Sequence, residues 1–73
     1  MTIYNLMLKV STLKIRVEMA YTAYKEKKTY YWAFEGEALT VIDTLEEMNY
    51  ITVEEWLEYK AQLYHIFRMY KRH

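Results

Sequence analysis

Apolar residues in the N-terminal third of the chain recur at alternating spacings of three and four residues. The series is Ile3, Leu6, Val10, Leu13, Val17, Ala20 and Tyr24. Residues at these spacings share one face of an α-helix, so the pattern predicts a first helix over about residues 2–26. Residues 13–19 also alternate between apolar and polar positions, which leaves an N-terminal hairpin as the alternative. The longer match favours the helix, because strands seldom exceed about ten residues without a turn.

Two polar segments predict the ends of further helices. The segment 25–29 is a charged run that ends in a candidate N-cap, Thr29. Farther along, Asn49 is a candidate helix stop, and Thr52 with Glu55 three residues later predicts a capping box. The second and third helices are therefore expected over about residues 30–49 and 52–72. Sheets need several tight turns, and a chain with no proline and one glycine has few turn residues.

These elements predict an all-α fold, a small antiparallel three-helix bundle that forms a single helical domain over residues 1–73. The expected core face of the second helix carries Phe34, Ala38, Val41, Ile42, Leu45 and Met48. The third helix has one very wide apolar face, which could contact both other helices. Its members are Val53, Trp56, Leu57, Tyr59, Leu63, Tyr64, Ile66, Phe67 and Tyr70.

The first helix has a second apolar stripe, which lies opposite the first. It consists of Tyr4, Leu8, Ile15 and Met19, and Trp32 and Leu39 lie away from the core face of the second helix. Two opposite apolar faces on one helix of a three-helix protein cannot both be covered by the same chain. We therefore predict that these six residues form a protein interface.

Gly36 lies between Trp32 and Leu39 and has two interpretations. Within a helix, glycine costs about 1 kcal/mol relative to alanine, so a mid-helix Gly36 suggests a notch that a partner approaches closely. Alternatively, the first helix extends to Phe34 and Gly36 is its C-cap.

Composition sets limits on how so short a chain is stabilised. It has 73 residues and no cysteine, which excludes disulfides and thiolate zinc sites, and 53% of its residues are hydrophobic. Small domains are marginally stable, so association, most simply as a homodimer, is the expected reinforcement. The absence of cysteine suits the cytoplasm, and no apolar run is long enough to predict a membrane span.

The charges sum to zero but are unevenly placed. Residues 29–59 contain eight acidic residues and no lysine or arginine, namely Glu35, Glu37, Asp43, Glu46, Glu47, Glu54, Glu55 and Glu58. The simplest interpretation is attraction between a basic first helix and an acidic second one. An alternative is an acidic surface that imitates nucleic acid and blocks a nucleic-acid-binding protein.

The C-terminal segment mixes Arg68, Lys71 and Arg72 with Tyr70, a combination that can bind single-stranded nucleic acid. Cations are also favoured in the last turn of any helix, where they offset its dipole. This second interpretation argues against nucleic acid as a partner.

No motif in the chain predicts catalysis, a cofactor or a metal. A metal site would need about three convergent ligands, and the two histidines, His65 and His73, are expected at the surface and at the chain end. We therefore expect a non-enzymatic protein-protein interaction module, such as a regulator, inhibitor or adaptor. Its partner would be another protein that binds the exposed apolar helix face.

Overall fold

The computed structural model describes residues 2–72, and it contains four α-helices and no strand within that range. The helices are α1 (Ile3–Lys9), α2 (Ser11–Lys25), α3 (Tyr31–Glu47) and α4 (Val53–Lys71). The all-α prediction is confirmed and the N-terminal hairpin is excluded. The prediction of three helices is wrong, because the expected first helix is divided into α1 and α2. None of these helices has the length and apolar character required to cross a membrane.

The division occurs at Val10, whose extended backbone has φ −120° and ψ 91°. Apolar residues keep their spacing of three and four residues through Val10, so the apolar pattern does not predict this break. Thr2 caps α1 by accepting a hydrogen bond from the backbone N–H of Asn5. The N–H of Ile3 donates to Oε1 of Gln62 at 2.6 Å, which ties the first turn of α1 to α4.

The longer helices α2, α3 and α4 run antiparallel to their neighbours in the chain. Arg16 forms an ion pair with Glu37, and the ring of Tyr24 lies 4.3 Å from that of Tyr31, so residues of α2 and α3 pair in opposite order. Between α3 and α4, Oδ1 of Asp43 accepts hydrogen bonds from Trp56 Nε1 at 2.6 Å and Lys60 Nζ at 3.2 Å.

All four helices contribute to one core. The first apolar series predicted for the first helix is confirmed as a core face. Ile3, Leu6, Leu13, Val17 and Ala20 are buried, and Val10 and Tyr24 pack against them. Ala38 and Ile42 of α3 are buried, as are Tyr59, Leu63, Ile66 and Phe67 of α4. Residues 13–19 alternate in hydrophobicity because α2 is apolar on two sides: Leu13 and Val17 face the core, whereas Ile15 and Met19 are exposed.

The helix ends agree with the predictions at some positions and not at others. The capping box is confirmed: Thr52 Oγ1 accepts from the N–H of Glu55, whose carboxylate accepts from the N–H of Thr52. Asn49 takes a positive φ of 61° just after α3, the conformation that stops a helix. Thr29 is not an N-cap, because α3 begins at Tyr31 and Tyr30 is the N-cap residue. Gly36 lies inside α3, so its interpretation as a C-cap is wrong.

Several residues assigned to core faces are exposed instead. Met48 is the C-cap of α3 and is 69% exposed. On α4 the exposed residues are Val53, Leu57 and Tyr64, at 52%, 58% and 51%. The predicted wide face of α4 is therefore too wide: α4 buries the part that faces α1, α2 and α3 and leaves this flank uncovered.

Aromatic rings meet where α2 ends, α3 begins and α4 ends. Tyr70 lies 5.0 Å from Tyr21 and 5.9 Å from Tyr24, measured between ring centroids, and Tyr24 contacts Tyr31. On the other side of α3, Tyr30 packs edge-on against Phe34 at 5.9 Å. The crowded aromatic segment 30–34 thus supplies rings to two different sides of α3, because successive helix positions point in different directions.

Candidate protein-interaction surfaces

The residues predicted to form the interface differ widely in exposure. Leu8 is 79% exposed, Trp32 67%, Tyr4 62%, Ile15 50% and Met19 37%. Leu39, in contrast, is partly buried and packs against the core. It therefore does not belong with the exposed residues.

The structure does not bring the predicted residues into one surface. Tyr4 lines a groove with Tyr21, Tyr70 and Met69 between α1, α2 and α4. Ile15 and Met19 lie on the opposite side of α2, beside α3. The break at Val10 redirects α1, so the stripe that would run straight along a continuous helix is divided.

The outer side of α2 and α3 carries two hollows, and we call this surface the α2–α3 face. The first hollow has a volume of about 350 Å³ and is lined by Ile15, Met19, Tyr30 and Phe34, among others. The second, of about 510 Å³, lies between Trp32 and Arg16 and is lined along α3 by Ala33, Gly36 and Thr40. Large exposed apolar residues line both hollows: Ile15, Met19 and Tyr30 line the first, and Trp32 lines the second.

Arg16 connects the two hollows. Its Nε lies 2.8 Å from the carboxylate of Glu37, and its Nη1 donates a long hydrogen bond of 3.6 Å to Met19 Sδ. Glu37 lines the second hollow and Met19 lines the first. The Arg16 side chain therefore lies at the boundary between them, with its charge compensated within the chain.

Small side chains form the α3 side of the second hollow. Ala33, Gly36 and Thr40 follow one another at spacings of three and four residues, so they share a side of the helix. The Thr40 hydroxyl donates to the carbonyl of Gly36 at 2.9 Å, which satisfies it within the helix. A Cβ atom at Gly36 would meet nothing within 4 Å. Glycine is therefore not required at this position by any contact within the described part of the chain.

The acidic residues do not form a uniform surface. Glu37 pairs with Arg16, Asp43 pairs with Lys60, and the carboxylate of Glu55 belongs to the capping box. The hydrogen bond from Trp56 holds the pKa of Asp43 below its usual value, with Lys60 adding to the effect. Burial raises the pKa of Glu35, against the opposing attraction of Lys71. Of the remaining four, Glu47, Glu54 and Glu58 are exposed and Glu46 is partly buried.

The basic residues near the C-terminus are exposed on the last turns of α4. They are Arg68, Lys71 and Arg72. Lys71 Nζ lies 5.9 Å from the ring centroid of Tyr31, so it is directed toward the chain's own aromatic residues. This arrangement fits cations at a helix C-terminus.

The described residues show no group of three side chains that could hold a metal ion. His65 is exposed on α4 and borders a hollow with Glu58 and Gln62. The other histidine of the chain, His73, lies outside the described residues.

Two features of the surface were not predicted from the sequence. The first is the exposed flank of α4, formed by Val53, Leu57 and Tyr64. Those residues were assigned to one wide core face, although the width of the apolar arc was itself a sign that part of it would remain uncovered. The second is the groove around Tyr21 and Tyr70, where burial raises the pKa of Tyr70. This groove depends on contacts between distant helices that no local pattern reports.

Comparisons of the chain with protein-family models, with curated proteins and with solved structures found no match.

Proposed function

We propose that the chain is a non-enzymatic protein-protein interaction module and that the α2–α3 face binds a helix of another protein. Regulators, inhibitors and adaptors use such surfaces. The observation that carries the proposal is the exposure of Ile15, Met19, Tyr30 and Trp32, which line the two hollows. Large apolar residues that cluster at the surface are typical of interaction sites.

The shape of the face favours a helix as the bound element. A shallow channel between two antiparallel helices accepts the apolar side chains of a third helix at positions i, i+3, i+4 and i+7. The small residues Ala33, Gly36 and Thr40 allow a partner to approach α3 closely, and Trp32 offers a large ring at the side. Tryptophan and tyrosine supply much contact area with few rotatable bonds, and they are enriched among residues that dominate binding energy.

The four exposed residues of the face supply only part of the free energy that binding requires. Complete burial of one large apolar side chain contributes about 1.5–3 kcal/mol. Because the four residues of the face are already about half covered, their remaining contribution is roughly half of that, or about 3–6 kcal/mol in total. Association costs on the order of 4–15 kcal/mol, so the partner must add contacts of its own.

The acidic surface remains a second candidate because Glu47, Glu54 and Glu58 are exposed. A protein that imitates nucleic acid would bind through charge, and its affinity would fall steeply between about 0.05 and 0.3 M salt. Binding through an apolar contact would lose little affinity over that range of salt concentration. Salt dependence therefore distinguishes the two proposals.

Site-specific photocrosslinking tests the proposed face even though the partner is unidentified. A benzophenone amino acid would replace Trp32 in one variant and Tyr50, an exposed aromatic residue between α3 and α4, in the other. We expect crosslinking in an extract of the natural host to give a distinct protein adduct from position 32 that position 50 does not give. Adding Gly36→Leu, which fills the second hollow, should remove that adduct. Identical adducts from both positions, or none from position 32, would contradict the proposal.

A further inference from the structure

The charges along the exposed flank of α4 would be complementary to those of an identical helix that lies antiparallel to it. Its apolar residues Val53, Leu57 and Tyr64 are each about half exposed, and Ala61 lies on the same side. The N-terminal half of α4 carries the exposed acidic residues Glu54 and Glu58. The C-terminal half carries the exposed basic residues Arg68, Lys71 and Arg72, with no acid among residues 59–72.

From this pattern we infer that α4 pairs with α4 of a second copy of the chain, antiparallel, about a two-fold axis near Ala61. In that arrangement Leu57 of each chain faces the region of Tyr64 in its partner, and Glu54 faces the region of Arg68. A two-fold interface is self-complementary by symmetry, since each contact occurs twice. Ala61 at the crossing point is small enough to let the two helices approach closely.

The charges select the antiparallel direction. A parallel pair would place the acidic halves together and the basic halves together, and like charges across an interface weaken association. An antiparallel pair places each acidic half beside a basic one. The Asp43–Lys60 and Trp56–Asp43 contacts lie toward α3 and would remain within each chain.

The area of the contact indicates that this dimer is weak. The strip from Val53 to Arg68 is roughly 24 Å long at 1.5 Å per residue, and a helix is about 10 Å wide. Its surface is therefore roughly 240 Å², well below the ~800 Å² per partner of a standard stable interface. We therefore expect a reversible dimer with a dissociation constant of about 10 μM to 1 mM, not a permanent one.

The test is sedimentation equilibrium from about 10 μM to 1 mM, with chain folding monitored by circular dichroism. The mass of the wild type should rise with concentration from 9.0 kDa toward twice that value. Leu57→Glu should raise the dissociation constant at least tenfold. Leu8→Glu, the same change at an exposed leucine of α1, should leave it unaltered. A wild type that remains monomeric at 1 mM, or equal effects of the two variants, would overturn the inference.

A charge exchange tests the antiparallel direction. At low salt, Glu54→Lys alone and Arg68→Glu alone should each weaken the dimer several-fold. The double variant should recover wild-type association, because the two exchanged charges meet across the axis. Failure of the double variant to recover would overturn the antiparallel arrangement. Ile15→Glu, on the α2–α3 face, should not change the dimer, so failure here is separable from failure of the proposed function.

Discussion

At the scale of single residues, the glycine at position 36 is unfavourable for folding but favourable for the proposed binding. A glycine inside a helix costs stability, and the described part of the chain provides no contact that would require it. A partner that approaches α3 at this point would provide the reason. The same substitution should therefore affect stability and binding in opposite directions.

Gly36→Ala should raise the free energy of unfolding by about 0.5–1 kcal/mol, because alanine restricts the unfolded chain and favours the helix. For a domain of this size, that corresponds to a rise of roughly 2–8 °C in the melting temperature. Thermal unfolding followed by circular dichroism measures it. A lower melting temperature would show that Gly36 has a structural role within the chain.

Glu35 should make stability depend on pH. Burial raises the pKa of its carboxyl, so the folded chain holds this proton more tightly than the unfolded chain does. The contribution of Glu35 to stability is therefore greatest at pH values below its pKa in the unfolded chain. This contribution is lost as the pH rises through its pKa in the folded chain. One buried carboxylate oxygen, Oε2, has no hydrogen-bond partner among the described residues, which adds to the cost of the charge.

Glu35→Gln should therefore stabilise the chain at pH 7, and this gain should shrink toward pH 3, where both forms of residue 35 are neutral. Urea unfolding at several pH values measures the difference. Glu37→Gln is the matched control, because Glu37 is about half exposed and pairs with Arg16. That change should lower stability at pH 7 by roughly 0.2–1 kcal/mol. If both substitutions change the free energy of unfolding at pH 7 in the same direction, the raised pKa of Glu35 is contradicted.

At the scale of elements, the break at Val10 is the main departure from the sequence-based expectation. A continuous helix over residues 2–26 would be about 37 Å long, whereas α3 and α4 have 17 and 19 residues and span roughly 26 and 28 Å. Its first turns would extend beyond the helices that cover its apolar face. The break allows Ile3 and Leu6 to be buried, and the N–H of Ile3 reaches Gln62.

This explains which features the sequence could predict. Buried positions such as Leu13, Ala38 and Leu63 follow from helical periodicity, and the Thr52–Glu55 cap follows from local hydrogen bonding. The break does not, because the apolar spacing is unchanged through Val10. For the same reason, the exposed residues were predicted as one surface although they lie on separate sides of the molecule.

The two threonines proposed as N-caps should differ in their contribution to stability. Thr52→Ala removes the hydroxyl that accepts from Glu55 and should cost about 1 kcal/mol, within the usual range of about 0.5–2 kcal/mol for N-caps. Thr29→Ala is the control and should change stability little, because Thr29 is exposed and does not cap α3. Denaturant unfolding of both variants measures the contrast, and equal losses would contradict it.

At the scale of the whole molecule, two surfaces are proposed for different partners. The α2–α3 face would bind another protein, and the α4 flank would bind a second copy. The described chain measures 36 × 18 × 18 Å, so its long sides are large enough for separate contacts. A weak dimer would present two α2–α3 faces at once, which would increase binding to a partner with repeated helices.

The two tryptophans permit the most direct test of the central claim, that the α2–α3 face is a binding site. Trp32 is 67% exposed on that face, whereas Trp56 is partly buried and donates to Asp43. In chain labelled with fluorotryptophan, the ¹⁹F resonance of Trp32 should shift or broaden in an extract of the natural host. The resonance of Trp56 should remain, and Gly36→Leu should abolish the change at Trp32. An unchanged Trp32 resonance, or equal changes at both tryptophans, would contradict the account.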